Sequence, residues 1–169
     1  MQATDYFYAP VLWAAEKGVT SGTAPNTFSP ANACTRGQTV TFLWRAAGSP
    51  EPKSASNPFT DVKADAYYYK AVLWAYENGV TTGTSATTFS PDATVNRGQV
   101  VTFLFRSVKG TASGTNPFTD VEQNAYYRDP VLWAAANGVT TGTSATTFSP
   151  ANDCTRGQIV TFLYRAFKK

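Results

Sequence analysis

One unit of sequence is written three times in this chain, and that repetition constrains the fold more than any other feature. Trp13, Trp74 and Trp133 stand 61 and 59 residues apart, and Arg36, Arg97 and Arg156 keep the same two intervals. The stretch GVTTGTSATTFSP at 79–91 returns unchanged at 138–150, and GVTSGTAPNTFSP at 18–30 is its diverged first copy. The second and third units open with NPFTDV at 57–62 and 116–121, whereas the first has no such opening and reads as the truncated end of a longer chain. The units are therefore taken as 1–47, 57–109 and 116–169. The connectors 48–56 and 110–115 are rich in Gly, Pro, Ser and Thr and read as linkers.

Each unit reads as helix, loop, helix. The first helix runs through PVLWAAEKG, AVLWAYENG and PVLWAAANG. Pro10 and Pro130 suit a first turn, where a missing N–H costs nothing, and Gly18, Gly79 and Gly138 suit a left-handed stop followed by the valine contact of Val19, Val80 and Val139. The second helix starts at TRGQ, NRGQ and TRGQ. Its apolar residues Val101, Leu104, Phe105 and Val108 in the middle copy predict one buried stripe. The Gly-Thr and Thr-Phe-Ser-Pro elements between the helices suit a short hairpin or tight turns. About 50 residues bury too little surface to be secure alone. The expected fold is mainly α, with three helix-loop-helix units sharing one core in a pseudo-threefold shape.

Composition removes whole classes of chemistry. With no histidine among 169 residues, there is no Ser-His-Asp triad, no Cys-His pair and no His-ligated zinc. Two cysteines are too few for a four-cysteine zinc site or a disulfide scaffold. The acids are scattered and form no close pair repeated in every unit. A two-carboxylate glycosidase is left open by sequence alone but disfavoured by the symmetry. No cofactor or metal motif is present. A formal charge of +3 suits an anionic partner but falls short of a nucleic-acid footprint, and no apolar run is long enough to span a bilayer. The opening Met1-Gln2-Ala3-Thr4-Asp5 does not read as a signal peptide.

The chemistry concentrates at the start of each second helix. Thr35/Gln38, Asn96/Gln99 and Thr155/Gln158 each fit a capping box, which is a structural signal. Arginine at the first helical position opposes the helix dipole, and it does so three times. The following Gly37, Gly98 and Gly157 weaken a helix but allow close approach to the backbone. An arginine fork beside open N–H groups would make a carboxylate or phosphate receptor. The competing reading pairs each arginine with a nearby aspartate, Asp61 or Asp120, to pin neighbouring units together. Tyr6-Phe7-Tyr8, Tyr67-Tyr68-Tyr69 and Tyr126-Tyr127 are expected mostly in the core, with at most one exposed ring per copy. Trp13, Trp74 and Trp133 are likewise read as packing, as are Trp44 and its counterparts Phe105 and Tyr164. Cys34 and Cys154 fill a slot that holds Val95 in the middle copy. They read as small buried hydrophobes on separate prongs rather than as a disulfide.

FTDV openings, an aromatic-rich helix entry, GVTTGT, TFSP and the TRGQ helix start together resemble the S-layer homology domain family, in three tandem copies. The resemblance covers nearly the whole chain. It implies a three-pronged spindle around a central helical bundle, without enzymatic activity or cofactor. It also implies a place at the bacterial cell surface, outside the cell, holding a larger protein non-covalently to acidic secondary cell-wall polysaccharide, often one bearing pyruvylated amino sugar. Neither nucleic acid nor membrane insertion is expected. By the same resemblance the clefts between copies hold the sugar, and Arg36, Arg97 and Arg156 meet its acidic group. Thr35, Gly37, Gln38, Asn96, Gly98, Gln99, Thr155, Gly157 and Gln158 support them. Asp61 and Asp120 are candidate inter-repeat or ligand contacts. The family's TRAE is TRGQ or NRGQ here, which keeps the cap, removes a negative charge beside each site and leaves the sugar unassigned. A structural module that self-associates without glycan is the alternative.

Overall fold

The computed structural model describes residues 1–54 and 56–168; Ala55, inside the 48–56 connector, and Lys169 lie outside them. The described chain contains six helices: α1 (Tyr8–Glu16), α2 (Arg36–Ala46), α3 (Tyr69–Glu77), α4 (Arg97–Ser107), α5 (Arg128–Ala136) and α6 (Arg156–Phe167). No strand forms among the described residues, only isolated bridges. The chain is mainly α, as the repeat predicts.

The helices interlock between units rather than within them. α2, α4 and α6 pack on one another at the centre. α3 packs on α2, α5 on α4, and α1 on α6, so each first helix leans on the second helix of the preceding unit. The N-terminal helix thereby closes a ring with the C-terminal one. Edge-to-face ring pairs stitch two of these seams, Trp13 with Tyr164 and Phe105 with Trp133. No unit owns a complete core, which is how three short repeats reach the burial that one cannot.

Central position changes the burial of the second helices. In α4, Arg97, Gly98 and every residue from Val100 to Leu104 are buried. The predicted stripe therefore holds at Val101 and Leu104 but not at Val108, which is the helix C-cap and is exposed. A helix surrounded by two like helices and a first helix buries most of its circumference.

At the pseudo-threefold axis the chain segments entering α2, α4 and α6 join backbone to backbone. The Cys34 amide donates to the Cys154 carbonyl at 3.1 Å, Cys154 to Val95 at 2.9 Å and Val95 to Cys34 at 3.0 Å. This closed triangle satisfies three buried donors with three buried acceptors. It also corrects the expectation that the cysteines sit apart on separate prongs. They meet at the axis, both as free, fully buried thiols. Cys34 donates its S–H to the Gln38 side chain at 3.4 Å, and burial pushes the Cys154 thiol up to about 12.

Candidate functional site

All three second helices begin with the complete capping box. The Thr35, Asn96 and Thr155 side chains accept from the backbone of Gln38, Gln99 and Gln158, whose side chains return to the cap amide. Such caps are worth about 1 kcal/mol each. The next two amides are not open to a ligand. Arg36 and Gly37 donate theirs to the Ala93 and Pro91 carbonyls, Arg97 and Gly98 to Asn152 and Pro150, and Arg156 and Gly157 to Asn32 and Pro30. Each helix start is thus plugged by the Ser-Pro turn of another unit, and the expected N–H receptor is filled by the protein itself. The glycines serve that closure. A Cβ on Gly37 would come within 2.9 Å of the Tyr68 ring and 3.2 Å of the Pro91 carbonyl, with near-identical surroundings at Gly98 and Gly157.

The arginines turn away from the helix axis and run into the neighbouring unit. Arg36, Arg97 and Arg156 are 4%, 3% and 4% exposed. Each Nε donates to a phenylalanine carbonyl of the TFSP turn: Arg36 to Phe89 at 2.9 Å, Arg97 to Phe148 at 2.8 Å, Arg156 to Phe28 at 2.9 Å. Each guanidinium lies between two rings, 4.8 and 5.4 Å from the Phe89 and Phe103 centroids in the case of Arg36. Arg97 sits likewise between Phe148 and Phe162, and Arg156 between Phe28 and Phe42. Desolvation lowers all three pKa values from the ordinary arginine value, and arginine nevertheless stays charged at neutral pH.

No carboxylate forms an ion pair with these arginines among the described residues, whose two ion pairs are Lys70–Glu51 and Arg128–Asp129. Asp61 and Asp120 do other work, inside their own units. Asp61 accepts from the amides of Phe89 and Ser90 at 2.8 and 2.7 Å, and Asp120 from those of Phe148 and Ser149 at the same distances. Aspartate and arginine therefore grip the same turn from two sides, the one by its amides and the other by its carbonyl.

The outer face of each guanidinium opens into a cleft. Three equivalent clefts, of about 410, 400 and 320 Å³, are lined by Arg36, Arg97 and Arg156 respectively. Each draws on all three units. In the first, Arg36 meets Gln99, Arg106 and the Thr81–Thr84 turn of the second unit and Tyr126 of the third. The others pair Arg97 with Gln158, Arg165 and Tyr6, and Arg156 with Gln38, Arg45 and Tyr67. Their linings combine arginine, glutamine, threonine and aromatic side chains with no Asp or Glu.

Sequence reasoning missed the second arginine. Arg45, Arg106 and Arg165 lie in the last helical turn, where a cation is explained by the helix dipole alone. They donate to the Val19, Val80 and Val139 carbonyls at 3.4, 3.4 and 3.2 Å. The 61- and 59-residue recurrence of that arginine was the available signal. Of the aromatic entries, one ring per copy is exposed as expected: Tyr6, Tyr67 and Tyr126, at 58%, 60% and 57%. Desolvation raises all three pKa values, and each phenol, neutral at pH 7 in any case, can donate a hydrogen bond.

The clefts differ in one detail. The Nη2 of Arg97 is buried without a hydrogen-bond partner, whereas that of Arg156 reaches the Thr20 hydroxyl at 3.5 Å. An unpaired donor on a nine-tenths buried cation is costly unless something supplies an acceptor.

Three helix-loop-helix units joined in a pseudo-threefold helical ring, with a two-arginine cleft repeated three times, define a repeat module. The model of the S-layer homology domain family matches residues 1–40, 58–101 and 117–160, and the chain belongs to that family. It is similar to an endoglucanase from Bacillus sp. (strain KSM-635), 36% identical over 124 residues that make up 73% of this chain and 13% of the relative. It is also similar to the surface-layer 125 kDa protein of Lysinibacillus sphaericus, 31% identical over 63% of this chain and 9% of the relative. A cell surface protein of Thermoanaerobacter kivui is 32% identical over 67% of this chain and 16% of the relative. The chain thus spans a small fraction of each of these relatives.

Proposed function

We propose that this chain is a non-enzymatic anchor that holds a larger bacterial surface protein to the cell wall by binding acidic wall polysaccharide in its inter-unit clefts. The observation that carries the reading is the set of three buried guanidiniums, each facing a cleft, none with a carboxylate of the protein as ion-pair partner. A buried unpaired charge is stabilised by an opposite charge brought from outside. A second arginine lining the same cleft adds a further cation for a carboxylate, and a pyruvyl ketal on an amino sugar is one such group. The exposed tyrosine at the cleft mouth offers a ring face and a hydroxyl to a sugar, and the threonine turn adds further hydroxyls.

Binding rather than turnover fits the linings, because glycoside hydrolysis needs a pair of carboxyl groups flanking the bond and none lines these clefts. The named relatives, an endoglucanase and two surface proteins, suit a module that serves unlike cargoes at the extracellular face. Three sites on one rigid body raise avidity for a polymer whose acidic groups recur.

The test is co-sedimentation with purified wall sacculi in three forms: intact, stripped of secondary polysaccharide, and intact with carboxylates amidated. The chain pellets with the first and stays soluble with the other two. Equal pelleting with amidated walls would overturn the acidic-group reading, and equal pelleting with stripped walls would overturn the polysaccharide itself.

A further inference from the structure

The pseudo-threefold axis gathers the chain's two cysteines, and neither lines a cleft. Both are free thiols and fully buried. The bridges flanking the axis fix how they face each other. Ala33 pairs antiparallel with Thr155, Thr35 with Thr94 and Asn96 with Asp153. In that register Cys34 stands directly opposite Cys154, with Val95 as the third corner. The Cys34 amide donates to the Cys154 carbonyl at 3.1 Å. Opposed residues that share such a bond have Cα atoms about 5.5 Å apart and side chains on one face. A disulfide spans Cα separations of about 4.4–6.8 Å. The two sulfurs are also electrostatic neighbours: desolvation raises the Cys154 pKa most, Arg97 lowers it, and the Cys34 sulfur raises it again.

Joining the sulfurs strands no partner. The Cys34 S–H donates to Gln38 Oε1 at 3.4 Å, and that oxygen keeps the Thr35 amide at 3.3 Å when the S–H is gone. Val95 is an unreactive, fully buried wall at the third corner. With two cysteines in the whole sequence, one pairing exists.

We propose that Cys34 and Cys154 form a disulfide across the axis, a covalent lock between the first unit and the third. The co-reactant is a small-molecule disulfide. One protein thiolate attacks it, forming a mixed disulfide and expelling one small thiolate. The second protein thiolate then attacks the protein sulfur of that mixed disulfide and expels the other. Two protein thiols are oxidised, one small disulfide is reduced to two thiols, and the cysteine protons pass to the departing thiolates. Both cysteines are closed to solvent in the folded chain, so exchange takes place while the axis is still open during folding, and the native register selects the pair. The bond ties a seam otherwise held by α1 on α6 and by the Arg156 and Gly157 amides on Asn32 and Pro30. Because it closes a loop over most of the chain, it restricts the unfolded state strongly. The surface location proposed above is one where thiols are not kept reduced, but the cross-link stands on the axis geometry whether or not the clefts bind glycan.

The test refolds the whole chain from urea in mixed reduced and oxidised glutathione and, in parallel, in excess dithiothreitol. The expected product in glutathione is a monomer by sedimentation, two hydrogens lighter by intact mass, with no thiol titratable after denaturation. Its urea midpoint lies above that of the reduced chain by about 1 M or more, and reduction abolishes the difference. Cys154→Val, which copies Val95, has the same midpoint in both buffers. The proposal is overturned if the refolded monomer keeps both thiols titratable or carries glutathione on them, or if disulfides join separate chains. It is also overturned if the cross-linked monomer unfolds at the same urea concentration as the reduced chain or at a lower one.

Discussion

At the scale of single residues, the aspartate of each FTDV opening is a backbone clamp, and its removal should be felt as such. Asp61→Ala strands the Phe89 and Ser90 amides, and the expected loss is about 1–3 kcal/mol in urea unfolding. Asp61→Asn, which keeps one acceptor oxygen, should recover part of it. Arg97→Met makes the opposite point. It removes the Phe148 hydrogen bond but also a buried, incompletely satisfied charge, so stability should stay within about 2 kcal/mol of the parent while wall binding falls. The cysteines carry a pH signature. The Cys154 thiol ionises at a higher pH in the folded chain, about 12 against a reference of 9.0. Its contribution to stability is therefore complete below about 9 and lost as the pH climbs towards 12. Cys154→Val, which copies Val95, should lose less stability over that interval when urea midpoints are measured at stepped pH.

How much of this was legible in the residues differs sharply from one position to another. The capping boxes were readable because cap chemistry is local. The arginine was recognised as a misfit at its helix start but not explained, since its partner carbonyl lies 53, 51 or 128 residues away. The glycine after it was read as room for a ligand, whereas the room is taken by an aromatic ring (Tyr68, Tyr127 or Phe7) and a proline carbonyl of other units. Arg45, Arg106 and Arg165 stayed hidden because a cation in a last helical turn needs no further reason.

At the scale of elements, the central helices owe their start to the caps and their place to the plugged amides that follow. Thr155→Ala should cost about 1 kcal/mol. Gly98→Ala would normally gain about 1 kcal/mol in a helix, but here the new methyl meets the Tyr127 ring at 3.0 Å and the Pro150 carbonyl at 3.3 Å. A net destabilisation in thermal unfolding is the expected result, and a gain would show that the Ser-Pro turn is not held against the helix start. Periodicity predicted that the second helices are amphipathic. It could not show that they meet at an axis, because a stripe of apolar residues does not say how many neighbours it serves.

At the scale of the molecule, the interlocked ring makes the three units one folding unit. Each first helix rests on the second helix of another unit, and the axis is tied by a triangle of backbone bonds that needs all three segments. A peptide spanning residues 57–109 alone should show little helix by circular dichroism, whereas the whole chain should unfold in a single transition by every probe. The repeat announced three copies and a shared core at the level of sequence. The exchange of partners between copies was invisible there, since helix-loop-helix reads the same whether a helix packs on its own partner or on its neighbour's. That exchange places an arginine, a glutamine and a tyrosine from three different units around one cleft.

The central claim is that those clefts hold an acidic wall polysaccharide through their arginines. The most direct measurement is co-sedimentation of intact wall sacculi with the parent chain and with a chain carrying Arg45→Gln, Arg106→Gln and Arg165→Gln. Arg45 is half-buried and Arg106 and Arg165 are exposed, and their modest contacts to backbone carbonyls allow the fold to be kept and checked by circular dichroism. The account predicts that the parent pellets with the walls and the folded variant remains in solution. A folded variant that pellets as well as the parent would contradict it.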